Sequence, residues 1–207
     1  MKLSNRLLAV KIAFVVAVTA GFGGFAAQRL YSAQSQSSAG AGEATFRTGL
    51  AIGDRLPAFT LKSLPDASGQ TDTITNAALM GKKTAFAIVK ATCPHCQKEG
   101  KTLHALDPDF SKELRYVIAS VSEPGETSGY AEETGFQGSV FTGAMPLAES
   151  LQIHSVPVLL LLNENGTIQY VQQGEVEPDQ ERRIFSAFLS GKPIPAPASA
   201  PTQTGPF

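Results

Sequence analysis

Two cysteines, Cys93 and Cys96, stand three residues apart in Thr92-Cys93-Pro94-His95-Cys96, and the 207-residue chain has no others. At the start of a helix, residues i and i+3 are neighbours, close to the roughly 5.5–6 Å Cα separation that a disulfide prefers. Pro94 suits the first helical position because the N–H it lacks would have no helical partner there. Cys93 then falls at the N-cap, where unpaired backbone N–H groups and the positive end of the helix dipole favour a thiolate. The spacing therefore predicts Cys93 as the attacking thiol and Cys96, one turn inside the helix and shielded, as the resolving thiol that releases a mixed disulfide. His95, between them, adds a partial positive charge beside Cys93.

The elements that must hold this pair are legible as alternating patterns. Ala85–Lys90 is a short apolar run that ends at the motif, as a buried central strand does. The helix that follows carries Leu103 and Leu106 on one side, leaves Lys98, Glu99 and Lys101 for solvent, contains a weakening Gly100, and closes at Pro108. Upstream, Ala58–Leu64 and Thr71–Thr75 flank a turn-rich PDASGQ as a hairpin would. Downstream lie a strand over Leu114–Val121, helical residues at Tyr130–Thr134, and a short helix over Leu147–Ile153. Two strands, Val156–Asn163 and Thr167–Gln172, then meet across Glu164-Asn165-Gly166, and an amphipathic helix over Asp179–Leu189 follows. The resulting order, β-β-β-α-β-α-β-β-α, belongs to the α/β class.

The ends read differently. Residues 1–27 place Lys2, Arg6 and Lys11 before or within an apolar run of about 21 residues, roughly 31 Å of helix, enough to cross a bilayer core. The segment is a signal-anchor or a cleavable signal peptide with Gly24-Phe25-Ala26 as its small-x-small site. Either outcome keeps the basic residues inside and places the remainder beyond the cytoplasm. Residues 28–48, rich in Ser, Ala, Gly and Gln, form a flexible linker of about 25 Å r.m.s. span. A domain occupies 49–191, and 192–207 is a Pro-rich disordered tail.

Composition narrows the chemistry. Seventeen basic residues against eighteen acidic ones give a net charge of −1, without the basic surface that nucleic-acid binding needs. A structural bridge across so short a loop would remove little unfolded-state entropy, and a four-ligand zinc site would need a second pair of ligands. Redox exchange remains as the reading of the pair, with no cofactor called for.

These motifs resemble the thioredoxin fold: Cys93-Pro94-His95-Cys96 after a strand, Ser155-Val156-Pro157 before the strand at Val158–Leu162, and Glu164-Asn165-Gly166 before the next. Ile52-Gly53-Asp54-Arg55-Leu56-Pro57-Ala58-Phe59-Thr60-Leu61 and Gly81-Lys82-Lys83 are similar to the added N-terminal hairpin of the membrane-tethered TlpA/ResA and redoxin branch. The resemblance implies a thioredoxin domain with that hairpin, a thiol-disulfide oxidoreductase, and Cys93 and Cys96 as the catalytic pair. Pro157 would be the cis-proline opposite the disulfide, and Val156 would offer backbone hydrogen bonds to an extended client. Pro94 and His95 complete the active-site loop. Implied partners are protein thiol or disulfide clients and a membrane redox partner, for a monomer in the bacterial periplasm, tethered to the inner membrane by its N-terminal helix.

The chain also departs from the family. Thr92 stands where an aromatic residue often precedes the first cysteine. Ala87 stands where thioredoxins bury an acid, so proton transfer at Cys96 must use Lys90, water or the substrate. Cys-Pro-His-Cys is similar to the oxidant DsbA, whereas tether and hairpin look like reductases of cytochrome maturation, and the reading leans to the reductase. Other readings are a peroxiredoxin, which lacks its proline because position 86 is Phe, and a copper chaperone using Cys93, Cys96 and His154. His104 is expected to be structural or exposed.

Overall fold

The computed structural model describes residues 49–136 and 140–196. Within them a seven-stranded sheet is built from β1 (Thr60–Ser63), β2 (Thr73–Thr75), β3 (Lys83–Val89), β4 (Leu114–Ser120), β5 (Val140–Thr142), β6 (Val158–Leu162) and β7 (Ile168–Gln173). Its order is β2-β1-β5-β4-β3-β6-β7. β3 runs parallel to β4 and antiparallel to β6, with Ile88 opposite Val158. The helices are α1 (Pro94–Phe110), α2 (Pro124–Thr134), α3 (Met145–Ser150) and α4 (Pro178–Leu189).

Period-two alternation divides the core between the two faces of the sheet. Ala85, Ala87 and Val89 of β3, Tyr116 and Ile118 of β4, and Leu159 and Leu161 of β6 pack with α1, α2 and α4. Phe86 and Ile88, Val117 and Ala119, and Val158, Leu160 and Leu162 face the other way, against Leu147 and Ala148 of α3 and Phe59 and Leu61. Burial on both faces is why β3 and β6 read as unbroken apolar runs. The hairpin β1–β2 is stitched in by Asn76, whose Oδ1 accepts from the Phe59 amide at 2.9 Å while its Nδ2 donates to the Pro57 carbonyl at 2.8 Å.

Three elements differ from the sequence reading. α1 does not stop at Pro108 but carries it inside the last turn to Phe110. Pro108 and His104 are both exposed there, so the carbonyl that loses its helical donor faces water. The middle of the chain holds a full three-turn helix, α2, that begins at Pro124, and a short strand, β5, where only Tyr130–Thr134 looked helical. α2 buries Thr127, Tyr130, Ala131 and Thr134, a helical stripe made mostly of hydroxyl side chains. Thr127 Oγ1 satisfies itself with Ser120 Oγ at 2.9 Å and the Glu123 carbonyl at 3.0 Å.

The N-terminal segment 1–27, the linker 28–48 and residues 197–207 of the tail lie outside the described residues. Among the described residues no helix is long and apolar enough to cross a membrane. The start of the tail, residues 192–196, has no regular secondary structure, and its Ile194 packs against the core on the α4 side.

Candidate active site

β3 delivers its last residue, Val89, to a tight turn in which the Cys93 amide donates to the Lys90 carbonyl at 3.1 Å. Cys93 is the N-cap of α1 in an extended conformation, and Pro94 occupies the first turn. The Gln97 amide donates back to the Cys93 carbonyl at 3.0 Å, so the helical ladder begins at that cysteine. Both cysteines are free thiols; Cys93 is half-buried and Cys96 fully buried. An attacking sulfur within reach of solvent and a resolving sulfur behind it is the geometry stepwise disulfide exchange requires.

Cys96 sits in an environment hostile to charge. Burial pushes its thiol far above the ordinary cysteine value, the Lys90 amide opposes this with a hydrogen bond to Sγ at 3.4 Å, and the neighbouring Cys93 and Glu99 push it further up. His95 is turned toward a carboxylate: its Nδ1 lies 3.2 Å from Glu175, in the loop between β7 and α4. Lys98 Nζ joins the same Glu175 at 3.1 Å and Glu177 at 3.4 Å. The positive charge expected beside Cys93 is thus opposed by an acid that sequence reading did not place there.

Register brings the second loop to the same end of the sheet. Because Ile88 pairs with Val158, Pro157 stands beside Val89, and Val156 beside the Lys90 turn that leads to Cys93. The Val156–Pro157 bond is cis, and the Pro157 carbonyl accepts from the Gly174 amide at 2.8 Å. His154 is exposed on that loop, and Thr92 is exposed before Cys93. His104 is exposed on α1 and stacks edge-on against Phe136. No three His, Cys, Asp or Glu side chains among the described residues converge as a metal cluster.

The acidic groups beneath the pair were missed. Glu99, assigned to solvent from its sequence, is buried on α1 one turn after Cys96, and Glu181 is buried in the first turn of α4. Burial, then the Glu175 charge, pushes the Glu99 carboxyl up to about 8, and Glu181 is likewise raised by burial and by Glu99. The signal was present: Glu99 shares the i, i+4, i+7 stripe with Leu103 and Leu106, and Glu181 shares one with Ile184, Phe185 and Phe188.

No family model matches this chain. It is 27% identical over 132 residues to the thiol:disulfide interchange protein DsbE of Escherichia coli, spanning 61% of this chain and 68% of that protein. The thioredoxin domain of a thiol-disulfide oxidoreductase from Bacteroides vulgatus superposes with a TM-score of 0.56 at 20% identity, covering 68% of this chain and 99% of that one. A secreted Mycobacterium tuberculosis disulfide oxidoreductase homologous to E. coli DsbE superposes with a TM-score of 0.54 at 16% identity, over 62% and 95%. The fold is thioredoxin-like, and the chain is a thiol-disulfide oxidoreductase. A Mycobacterium tuberculosis AhpC matches with a TM-score of 0.57 at 20% identity, over 69% and 94%, so the same fold also serves a protein of another name. The chemistry of this oxidoreductase must therefore be argued from its own site.

Proposed function

We propose that this oxidoreductase reduces protein disulfides outside the cytoplasm through Cys93 and Cys96, as a reductase or maturation factor tethered to the bacterial inner membrane. In this reading the Cys93 thiolate attacks a client disulfide and expels the first client sulfur as a thiolate. Cys96 then gives up its proton, attacks Cys93 and expels the second client sulfur, leaving the Cys93–Cys96 disulfide for a membrane redox partner to reduce. Pro94 and His95 shape the loop, and the backbone of Val156 beside Pro157 offers an extended client a hydrogen-bonding edge. Glu99, one helical turn from Cys96, accepts the proton of the resolving thiol.

The observation that carries the direction is the Glu175 carboxylate 3.2 Å from His95 Nδ1, in the loop of the attacking thiol. An oxidant of this fold is made by stabilising the reduced, thiolate-bearing state. Here Glu175 opposes the positive charge that His95 places beside the Cys93 thiolate. That influence favours the disulfide relative to the dithiol, which makes the dithiol a reductant. Similarity to the interchange protein DsbE of E. coli and to a secreted disulfide oxidoreductase agrees with an extracytoplasmic site of action, as does the basic-then-apolar segment 1–27.

Equilibration of the full chain with glutathione and dithiothreitol redox buffers tests the direction. A potential nearer about −270 mV than about −120 mV supports the reductase. A value near the upper figure reverses the electron flow and makes the protein a thiol oxidant. Cys93→Ser should abolish exchange, and its retention would move the chemistry elsewhere.

A further inference from the structure

The two buried glutamates present a satisfaction problem that the exchange chemistry alone does not explain. Glu99 Oε1 and Oε2 and Glu181 Oε1 and Oε2 are all shielded from solvent, and none receives a well-formed hydrogen bond from the surrounding protein. The two carboxyl groups lie within hydrogen-bonding reach of each other, with the Val176 amide nearby. Ionised carboxylates only accept hydrogen bonds, so two of them cannot bond, and their like charges repel in a site of low dielectric. One proton placed between them removes both difficulties at once.

We propose that Glu99 and Glu181 share a single proton, and that Glu181 is a positioning residue that keeps Glu99 able to accept the Cys96 proton at neutral pH. The inference rests on the exchange reading given above for its second half and on burial geometry for its first. With one proton the pair carries a charge of −1 and has one vacant basic position. During resolution the Cys96 S–H bond breaks and its proton fills that position, leaving the pair neutral. The sulfur's electron pair forms the bond to Cys93, the bond from Cys93 to the client breaks, and the client sulfur leaves with that bonding pair and takes a proton from water. When a partner dithiol later reduces Cys93–Cys96, Cys96 departs as a thiolate and recovers its proton from the pair.

The groups facing the pair are consistent with a trapped proton. On α1 these are Cys96 and Lys98, whose ammonium is exposed and already held by Glu175 and Glu177. Glu175 faces it from the β7–α4 loop and adds negative charge. Tyr130 of α2 spends its hydroxyl on the Cys96 carbonyl, and Tyr170 of β7 spends its own on Gln172 Oε1 at 2.8 Å. Tyr116 of β4, whose buried hydroxyl has no partner among the described residues, feels the charge of Glu181. Among the described residues no cation is buried against the pair to hold two carboxylates ionised.

Without Glu181, a lone buried Glu99 would hold its proton at neutral pH and have no vacant position for another. The test uses the full chain, with Glu181→Gln and, as an apolar variant of similar length, Glu181→Met. Infrared titration of the reduced protein should show one protonated carboxyl at pH 7 whose band is lost only when both acids are replaced, in Glu99→Gln with Glu181→Gln, and redox-difference spectra should show a second protonated carboxyl on oxidation. Absence of any protonated-carboxyl band overturns the shared proton whether or not the protein exchanges disulfides. Resolution is timed from release of thionitrobenzoate from a Cys93 adduct. It should be tenfold slower or more at pH 6 in Glu181→Met, converging on the wild type at higher pH, and closer to the wild type in Glu181→Gln, whose amide can donate to Glu99, while adduct formation at Cys93 changes less than twofold. A wild-type pH profile in Glu181→Met overturns the positioning role. Failure of Cys93 to form the adduct would instead overturn the exchange reading.

Discussion

The Tyr130 hydroxyl donates to the Cys96 carbonyl at 3.1 Å, tying α2 to the first turn of the helix that carries both thiols. Gly100 makes this approach possible: a Cβ there would overlap the Tyr130 hydroxyl and come within 2.7 Å of the Thr134 methyl. Because the colliding atoms are an anchored ring and a β-branched side chain, they have little room to move. Gly100→Ala should gain helix propensity yet lose about 1–3 kcal/mol through overpacking. Tyr130→Phe, which removes only the hydrogen bond, should cost about 1 kcal/mol. Urea unfolding of both variants checks the ordering, and a stabilised Gly100→Ala would mean that α1 and α2 are not in this contact.

Glu175 and His95 form the other defining contact of the loop. Removing the carboxylate in Glu175→Gln frees His95 to act on Cys93 and lessens the negative field on Glu99, so the reduced state gains and the reduction potential rises. The pair is partly exposed, with side chains 40% and 23% accessible, so the rise should shrink as salt is raised. Redox equilibration at low and high ionic strength measures both effects, and an unchanged or lower potential would remove Glu175 from the tuning of the site.

How much of this could be read in advance follows from which residues carried the pattern. The strand into Cys93, the helix out of it and the Val156–Pro157 loop were legible because apolar runs and prolines mark their own boundaries. α2 was not, because Thr127, Tyr130, Ala131 and Thr134 form its buried face and a stripe of threonines has no hydrophobic contrast. The buried acids were hidden by a sound habit: glutamates rarely lie fully buried without partners. Position on the stripe pointed inward while chemical type pointed outward, and at Glu99 and Glu181 position won. Conflict between the two is itself the mark of a residue retained for something other than packing.

The proposed division of labour between the thiols leads to a trapping experiment. Cys93 is half-buried and Cys96 is fully buried behind it. Cys96→Ser should therefore still attack but fail to resolve, accumulating mixed disulfides with clients as adducts that disappear on reduction in a denaturing gel. Cys93→Ser should yield none. Adducts formed equally by both variants would mean that Cys96 is reachable and the assigned order is wrong.

Tethering is tested separately from chemistry. If residues 1–27 anchor the chain, the full-length protein should resist carbonate extraction from membranes. A chain beginning at Gly49 should be released while keeping its reduction potential, since the Cys pair and both glutamates lie within 49–191. Recovery of a soluble full-length product whose N-terminus maps just after Ala26 would replace the anchor with a cleaved signal.

Stability against pH offers an independent view of the buried acids. In the folded chain Glu99 is raised from the ordinary 4.5 to about 8, chiefly by burial, and Glu181 moves the same way. Between those values the folded state binds more protons than the unfolded chain does, so stability is highest near the lower value and falls as pH climbs toward 8. The slope can reach about 1.4 kcal/mol per pH unit for each proton retained. Asp66, held below its ordinary value by the Ser68 hydroxyl and the Gln70 amide, works in the opposite sense below about pH 4, outside this window. Urea unfolding at pH 5 and pH 8 should find the wild type weaker at pH 8, and replacing both acids, Glu99→Met with Glu181→Met, should flatten the dependence because no retained proton site is left. Equal stability at the two pH values would mean that the carboxyls ionise without penalty, and the proton assigned to the pair would have no physical basis.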